Sequence, residues 1–203
     1  MKLVKIRIMP DLIREYIREL LTESIDSKII SMIDKLEGLE GFVEIMPDRA
    51  VVMINKVVRG DRYPVPLGAV VWGDGRLSGP CLGAKIVSSS HMNKGFGPLA
   101  YDVAIEVTGG LAPDRDSVSK SANAVWDRYM NGRADVQALQ LDNDRNHLTP
   151  EDKDNCDQRS ARVDSGGWSP IGSFWDSSLS KVYKKSGTPV MDELRKRSML
   201  VES

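Results

Sequence analysis

The chain has little of what most specialised protein classes require. Its 203 residues hold only two cysteines, Cys81 and Cys156. That is a poor disulfide framework and too few thiols for a cysteine-based metal site, so a reducing cytoplasm is the default expectation. With only two histidines, His91 and His147, a histidine-rich metal centre is not expected either. No stretch reaches the roughly 18 apolar residues that span a bilayer. The apolar start of the chain is broken by Lys5 and Arg7, which argues against a secretory signal. An excess of one charge is missing as well: 28 basic residues face 29 acidic ones, for a formal net charge of -1. That balance argues against an electrostatically driven nucleic-acid binder, and neither nucleic acid nor membrane is an expected partner.

What is present is an ordinary globular composition. Hydrophobic residues make up 41%, enough to bury a core. The length fits one domain, or one with an elaborated end. Residues 2–9 alternate apolar and basic, with Val4, Ile6 and Ile8 on one face, which predicts a half-buried strand. Pro10-Asp11 opens a helix with Asp11 as its N-cap, and Leu12, Ile13, Tyr16, Ile17, Leu20 and Leu21 share its apolar face. A second helix carries Ile29, Met32, Ile33 and Leu36 and stops at Gly38.

From Gly41 the period becomes extended. Phe42–Met46 and Ala50–Val58 flank Pro47-Asp48-Arg49 and predict a hairpin. Strands at 67–72 and 81–88 follow, joined through Gly73-Asp74-Gly75. A helix with Phe96, Leu99, Ala100, Val103, Ala104 and Val107 on its stripe ends at Gly109-Gly110. After a short extended piece at Leu111-Ala112 comes another helix, capped by Ser117, with Ala122, Val125, Trp126 and Tyr129 on one face. Residues 142–178 are polar but carry Trp168, Phe174 and Trp175, so they are expected to pack on the domain rather than form a disordered linker. A late strand at 180–184 and a helix at 190–200 close the chain. The expected organisation is a core over 1–141, with 142–203 as an insertion and terminal strand and helix packed on it. The fold class is mixed α/β: a mostly antiparallel central sheet flanked by helices.

The chemistry concentrates at Val87-Ser88-Ser89-Ser90-His91-Met92-Asn93-Lys94-Gly95-Phe96-Gly97-Pro98-Leu99, where a strand enters a glycine-bearing turn and a helix follows at once. Backbone N–H groups at such a helix N-terminus meet a partial positive charge that favours phosphate. Gly95 and Gly97 let a diphosphate approach the backbone, and Pro98 suits the first helical turn.

The order of elements and this turn resemble the GNAT-family N-acetyltransferases, whose pyrophosphate loop is Gln/Arg-x-x-Gly-x-Gly/Ala after a strand ending in valine. Val87 stands at the valine position, and Gly95 and Gly97 at the glycines. Ser119-Lys120-Ser121-Ala122 through Val125-Trp126 resembles the family helix Asn-x-x-Ala-x-x-Leu-Tyr that lies beside coenzyme A. The resemblance covers roughly 1–141, and its narrower form is to divergent GNAT-like proteins of tailed bacteriophages. It implies an acetyl-CoA site formed by Val87 and Ser88, the loop residues Met92, Asn93, Lys94, Gly95, Phe96 and Gly97, and Ser119 with Trp126. It also implies attack of an amine on the thioester while backbone N–H groups of Ser88–Ser90 polarise the carbonyl.

Two positions depart from the family. Met92 replaces the Gln or Arg, with Lys94 as a compensating charge. Trp126 replaces the tyrosine that protonates the leaving thiolate, which makes Tyr129, one turn on, the nearest phenol. Glu44 and His91 are the candidate bases. The expected function is an acetyl-CoA-dependent N-acetyltransferase acting on an amine. The alternative is an inactive GNAT-like phage protein that serves as a virion component or binds a host protein. Asp114-Arg115-Asp116 reads as solvated capping, and Asp142-Asn143-Asp144 lacks the glycine and glutamate of a calcium loop.

Overall fold

The computed structural model describes residues 25–73, 79–92, 95–143, 148–156, 162–164 and 174–203. The strand expected at 2–9, the helix after Pro10, and Asn93, Lys94, His147 and Trp168 lie outside the described residues.

Helix α1, Ser27–Glu37, is capped by the Asp26 carboxylate, which accepts the Lys28 N–H at 2.9 Å, and it buries Ile29, Ile33 and Leu36. The strands β1 (Gly41–Met46), β2 (Val51–Lys56), β3 (Val65–Gly73) and β4 (Lys85–Met92) form an antiparallel meander. In β1 the residues Val43 and Ile45 are buried while their neighbours are half-exposed. That period of two marks a sheet with one face on the core. The hairpin expected at 42–58 is present, closed by a 3-10 turn at Pro47–Arg49. The strand expected from Cys81 begins four residues later. Cys81–Gly83 is a 3-10 turn in which Cys81 and Leu82 take left-handed backbone angles, so pairing starts at Lys85.

Helix α2, Gly97–Thr108, ends where Gly109 adopts a φ of 68°, the left-handed cap that glycine tolerates best. The expected stripe is buried except for Val107, which is half-buried, and Tyr101, Asp102, Ile105 and Glu106 are buried as well. A helix covered on nearly all sides is the centre of a domain, not its surface. Strand β5, Leu111–Ala112, lies parallel to the start of β4; β6, Ser117–Ser119, leaves the main sheet and pairs in parallel with β8, Arg162–Asp164. Helix α3, Lys120–Gly132, is capped by Ser119, whose hydroxyl accepts the Ala122 N–H at 3.3 Å. Ser117, expected to cap it, is a strand residue.

Strand β7, Gln137–Gln140, pairs with β9, Lys181–Lys184, and β9 pairs with β5. Helix α4, Pro189–Lys196, stops short of the 200 expected, because Ser198 reverses the chain at a φ of 57° and Leu200–Glu202 forms β10 beside β1. The main sheet therefore runs β10-β1-β2-β3-β4-β5-β9-β7. Residues after 141 supply two of its strands, so they enter the sheet as well as packing on it. The fold is a mixed α/β layered one.

The main core joins α1, α2, α3 and α4 to the sheet. A smaller cluster of Cys81, Ile86, Ala112, Leu141, Cys156 and Val182 covers the opposite face at β4, β5 and β9. Consecutive residues divide between the two: Leu111 belongs to the first and Ala112 to the second. Two cysteines read as a poor disulfide framework, yet Cys81 and Cys156 form a disulfide across a Cα–Cα distance of 4.7 Å. Their 75-residue separation carries no spacing signal; the fold of the polar insertion brings them together. Among the described residues no helix is long and apolar enough to cross a membrane.

Candidate functional site

The parallel contact between β4 and β5 is short. Lys85 and Ile86 lie opposite Leu111 and Ala112, and beyond them the strands part. Val87–Met92 stays with β3, while the segment after β5 leaves the sheet and pairs with β8 as β6. A bulge marks the parting: Val71 lies opposite Ser89 and Trp72 opposite Val87, leaving Ser88 without a facing residue. The extra residue turns β4 locally, and the Ser88 hydroxyl donates to the Val71 carbonyl at 3.2 Å.

Between the two branches lies a cleft of about 260 Å³. One wall is Val87–Ser90 and the other Asp114 and Ser117–Ser119, with Ala122 and Trp126 from α3 and Tyr101 from α2 closing it. Its size falls just under the usual range for small-molecule sites, so it suits a slender arm better than a whole nucleotide. Serines line both walls.

Aromatic rings set the floor. Trp126 is buried, stacked on Tyr183 at 5.1 Å and edge-on to Tyr101 at 4.8 Å. The Tyr101 hydroxyl donates to Ser90 Oγ at 2.8 Å. Burial pushes the Tyr101 phenol above its ordinary pKa, and the Asp114 carboxylate adds to the rise. Tyr101 is thus protonated at neutral pH and acts as a donor. Asp114 accepts the N–H groups of Asp116 at 2.8 Å and Ser117 at 3.4 Å, which fixes the turn that sends β6 away from β4. Between those two residues Arg115 is 1% exposed, its guanidinium donating to the Leu179 carbonyl at 2.9 Å. The run read as solvated is a buried anchor at its centre.

At the end of β4 the chain turns through Gly95, whose φ of 80° suits glycine, into α2 with Gly97 and Pro98 in its first turn. Among the described residues no side chain caps this N-terminus. Pro98 has no N–H to satisfy, and the other first-turn N–H groups meet no capping side chain of the described residues.

The sequence-derived site divides on this geometry. Val87, Ser88, Ser119 and Trp126 meet at the cleft. Gly95 and Gly97 form the turn at the end of its β4 wall, and Met92 packs its side chain on Gly68 and Gly97. Phe96 is wholly buried beneath Lys35, a core residue rather than a loop contact. His91 is exposed on β4, opposite Ala69. Glu44 lies on β1, separated from β4 by two strands, and accepts from Asn55 at 3.1 Å.

Tyr129 faces away from the cleft's lining. It is 1% exposed and donates to Asp102 Oδ1 at 2.5 Å and to the Pro98 carbonyl at 3.1 Å. Burial first, and the Asp102 charge second, hold its phenol well above the ordinary range. Tyr129 belongs to a buried charge network. Arg133 pairs with Asp102 at 2.7 Å and Asp135 at 2.6 Å, and Lys185 pairs with Glu106 at 2.6 Å and Asp102 at 3.2 Å. The cleft phenol is Tyr101, which the helical stripe through Leu99 and Val103 passed over. A tyrosine two residues beyond Leu99 carries no periodic signal for a cleft that opens only where two distant strands part. No protein-family model, no curated protein and no solved structure matches the chain.

Proposed function

We propose that the cleft between β4 and β6 holds the acylated arm of acetyl-CoA, and that the protein is an acetyl-CoA-dependent N-acetyltransferase. The observation that carries the reading is the parting of two parallel strands around a serine-lined cleft, with a helix N-terminus that no described side chain caps at the end of one wall. The exposed edge of β4 offers backbone groups to a pantetheine-like amide chain, and the α2 N-terminus offers N–H groups and a partial positive charge to a diphosphate. The resemblance of the sequence to GNAT enzymes assigns the same two parts to the same ligand.

Within this reading the acceptor amine attacks the thioester carbonyl, the carbonyl oxygen gathers charge near N–H groups of β4, and the thiolate departs. Tyr101 is the donor placed to protonate it, and the tyrosinate so formed, whose affinity for a proton burial raises, takes up the proton that the attacking nitrogen loses. Tyr101→Phe is expected to lower turnover about 10²–10⁴-fold with acetyl-CoA affinity retained. Coenzyme A release by a panel of amines measures it; unchanged turnover removes Tyr101 from the step. Acetyl-CoA is an intracellular metabolite, so the reading places the protein in a cytoplasm. A cytoplasmic disulfide is uncommon, and the Cys81–Cys156 bond lies on the opposite face from the main core, outside the cleft lining.

A second reading keeps acetyl-CoA binding without turnover, as in a structural or host-binding phage protein. It is favoured by Met92 and Trp126 packing as apolar residues where the family has polar ones. Binding of acetyl-CoA with no coenzyme A release for any amine supports it.

A further inference from the structure

Where the chain leaves β7, four side-chain oxygens are buried without a hydrogen-bond partner: Asp142 Oδ1, Thr149 Oγ1, Asp154 Oδ1 and Asn155 Oδ1. They belong to segments held against one another. Asp142 and Asn155 are bridge partners, and the Asp142 N–H donates to the Asp154 carbonyl at 2.9 Å. The Thr149 N–H donates to Asp142 Oδ2, leaving Oδ1 as the free oxygen of that carboxylate. The Asn155 amide nitrogen is directed to Asp152 Oδ1 at 3.5 Å, which leaves its oxygen turned elsewhere.

Asp142 is 0% exposed. A buried carboxylate oxygen with no donor carries a large desolvation penalty unless a positive charge meets it. Neither Asp142 nor Asp154 has a lysine or arginine partner among the described residues. We infer that these four oxygens form a calcium site. Two carboxylates, an amide carbonyl and a hydroxyl are hard oxygen donors, which suit Ca²⁺ and exclude the softer metals that need thiolate or imidazole. Calcium accepts the irregular geometry of a loop, whereas Mg²⁺ demands a near-ideal octahedron. With only two carboxylates the site is weak, with a Kd on the order of 10⁻⁴–10⁻³ M.

The site sits beside the disulfide. Asn155 precedes Cys156, and its carbonyl accepts the Cys81 N–H at 3.0 Å. Ion and disulfide thus fasten one turn of the insertion onto the approach to β4. The inference does not depend on the acetyl-CoA reading.

The test is equilibrium dialysis of the chelator-stripped full chain against CaCl₂, with bound metal counted by atomic emission, together with thermal melts. One calcium per chain is expected, with the midpoint rising roughly 3–6 °C at about ten times Kd. MgCl₂ at matched ionic strength should give a smaller rise. Asp142→Asn and the half-exposed Asp154→Asn should each weaken calcium binding at least tenfold. Asp154→Asn keeps the test open should Asp142→Asn fail to fold. No calcium above the blank overturns the inference, and so does wild-type affinity in a folded variant. A higher midpoint for calcium-free Asp142→Asn, with no calcium bound by the wild type, also overturns it, the oxygen then being hydrated or protonated.

Discussion

Two groups of buried carboxylates lie in this fold, and they are satisfied differently. Between α2, the end of α3 and the entry to α4, Asp102, Glu106 and Asp135 face Arg133 and Lys185, all with side chains no more than 5% exposed. Glu106 also accepts the N–H groups of Val190 and Met191 at 3.1 and 2.9 Å, capping α4 from beneath. Here each acid meets cations and donors of the chain itself. At the start of the polar insertion, Asp142 and Asp154 keep oxygens that nothing in the described chain meets. The contrast teaches where a buried charge is a fastener and where it is a receptor. A closed network leaves no valence for an outside group, and an open one asks for a cation.

The largest expected effect comes from opening the closed network. Arg133→Met leaves Asp102 and Asp135 buried with one cation fewer, and should cost about 3–5 kcal/mol in urea unfolding. A loss below 1 kcal/mol would show that water or Lys185 takes over, and the contrast with Asp142 would weaken. Next is the disulfide beside the open group. Cys81→Ala with Cys156→Ala should cost about 2–5 kcal/mol, and should weaken calcium binding because the Asn155 turn is released. Unaltered calcium affinity in the double variant would separate the two features.

Tyr129→Phe is smaller, about 1.5–3 kcal/mol, the value of a hydrogen bond to a charged acceptor. Calorimetry should show acetyl-CoA affinity unchanged, since Tyr129 lies in the closed network and not along the cleft. Smallest is Asp154→Asn in chelator, expected to move stability by under about 0.5 kcal/mol as a half-exposed change without its ion. A large loss there would mean the open group is already satisfied by the protein.

The parts of this fold that were legible in the sequence are those set by local period. Ile29, Ile33 and Leu36 announce α1, and the alternation around Val43 and Ile45 announces β1 because each side chain's face follows from its neighbours. The cleft was half legible. Val87, Ser88, Ser119 and Trp126 were singled out and do meet. Tyr101 and Asp114 were not, because their roles depend on β5 leaving β4 after two residues, a tertiary event with no local signature. The same holds for Cys81 with Cys156 and for the paired charges at Asp102 and Arg133. These contacts join residues 75 and 31 positions apart, and nothing in either neighbourhood names the other. Tyr129 looked catalytic because a helix places it one turn from Trp126, but the helix buries that face under α2.

The most direct test of the acetyl-CoA reading is calorimetric titration of acetyl-CoA into the wild type and into Ser117→Trp. Ser117 is exposed on the β6 wall, so a tryptophan there fills the cleft without disturbing the core. One acetyl-CoA per chain is predicted for the wild type, with binding lost in a Ser117→Trp protein that melts as the wild type does. No binding by the wild type, or equal binding by both, would contradict the assignment of the cleft to acetyl-CoA.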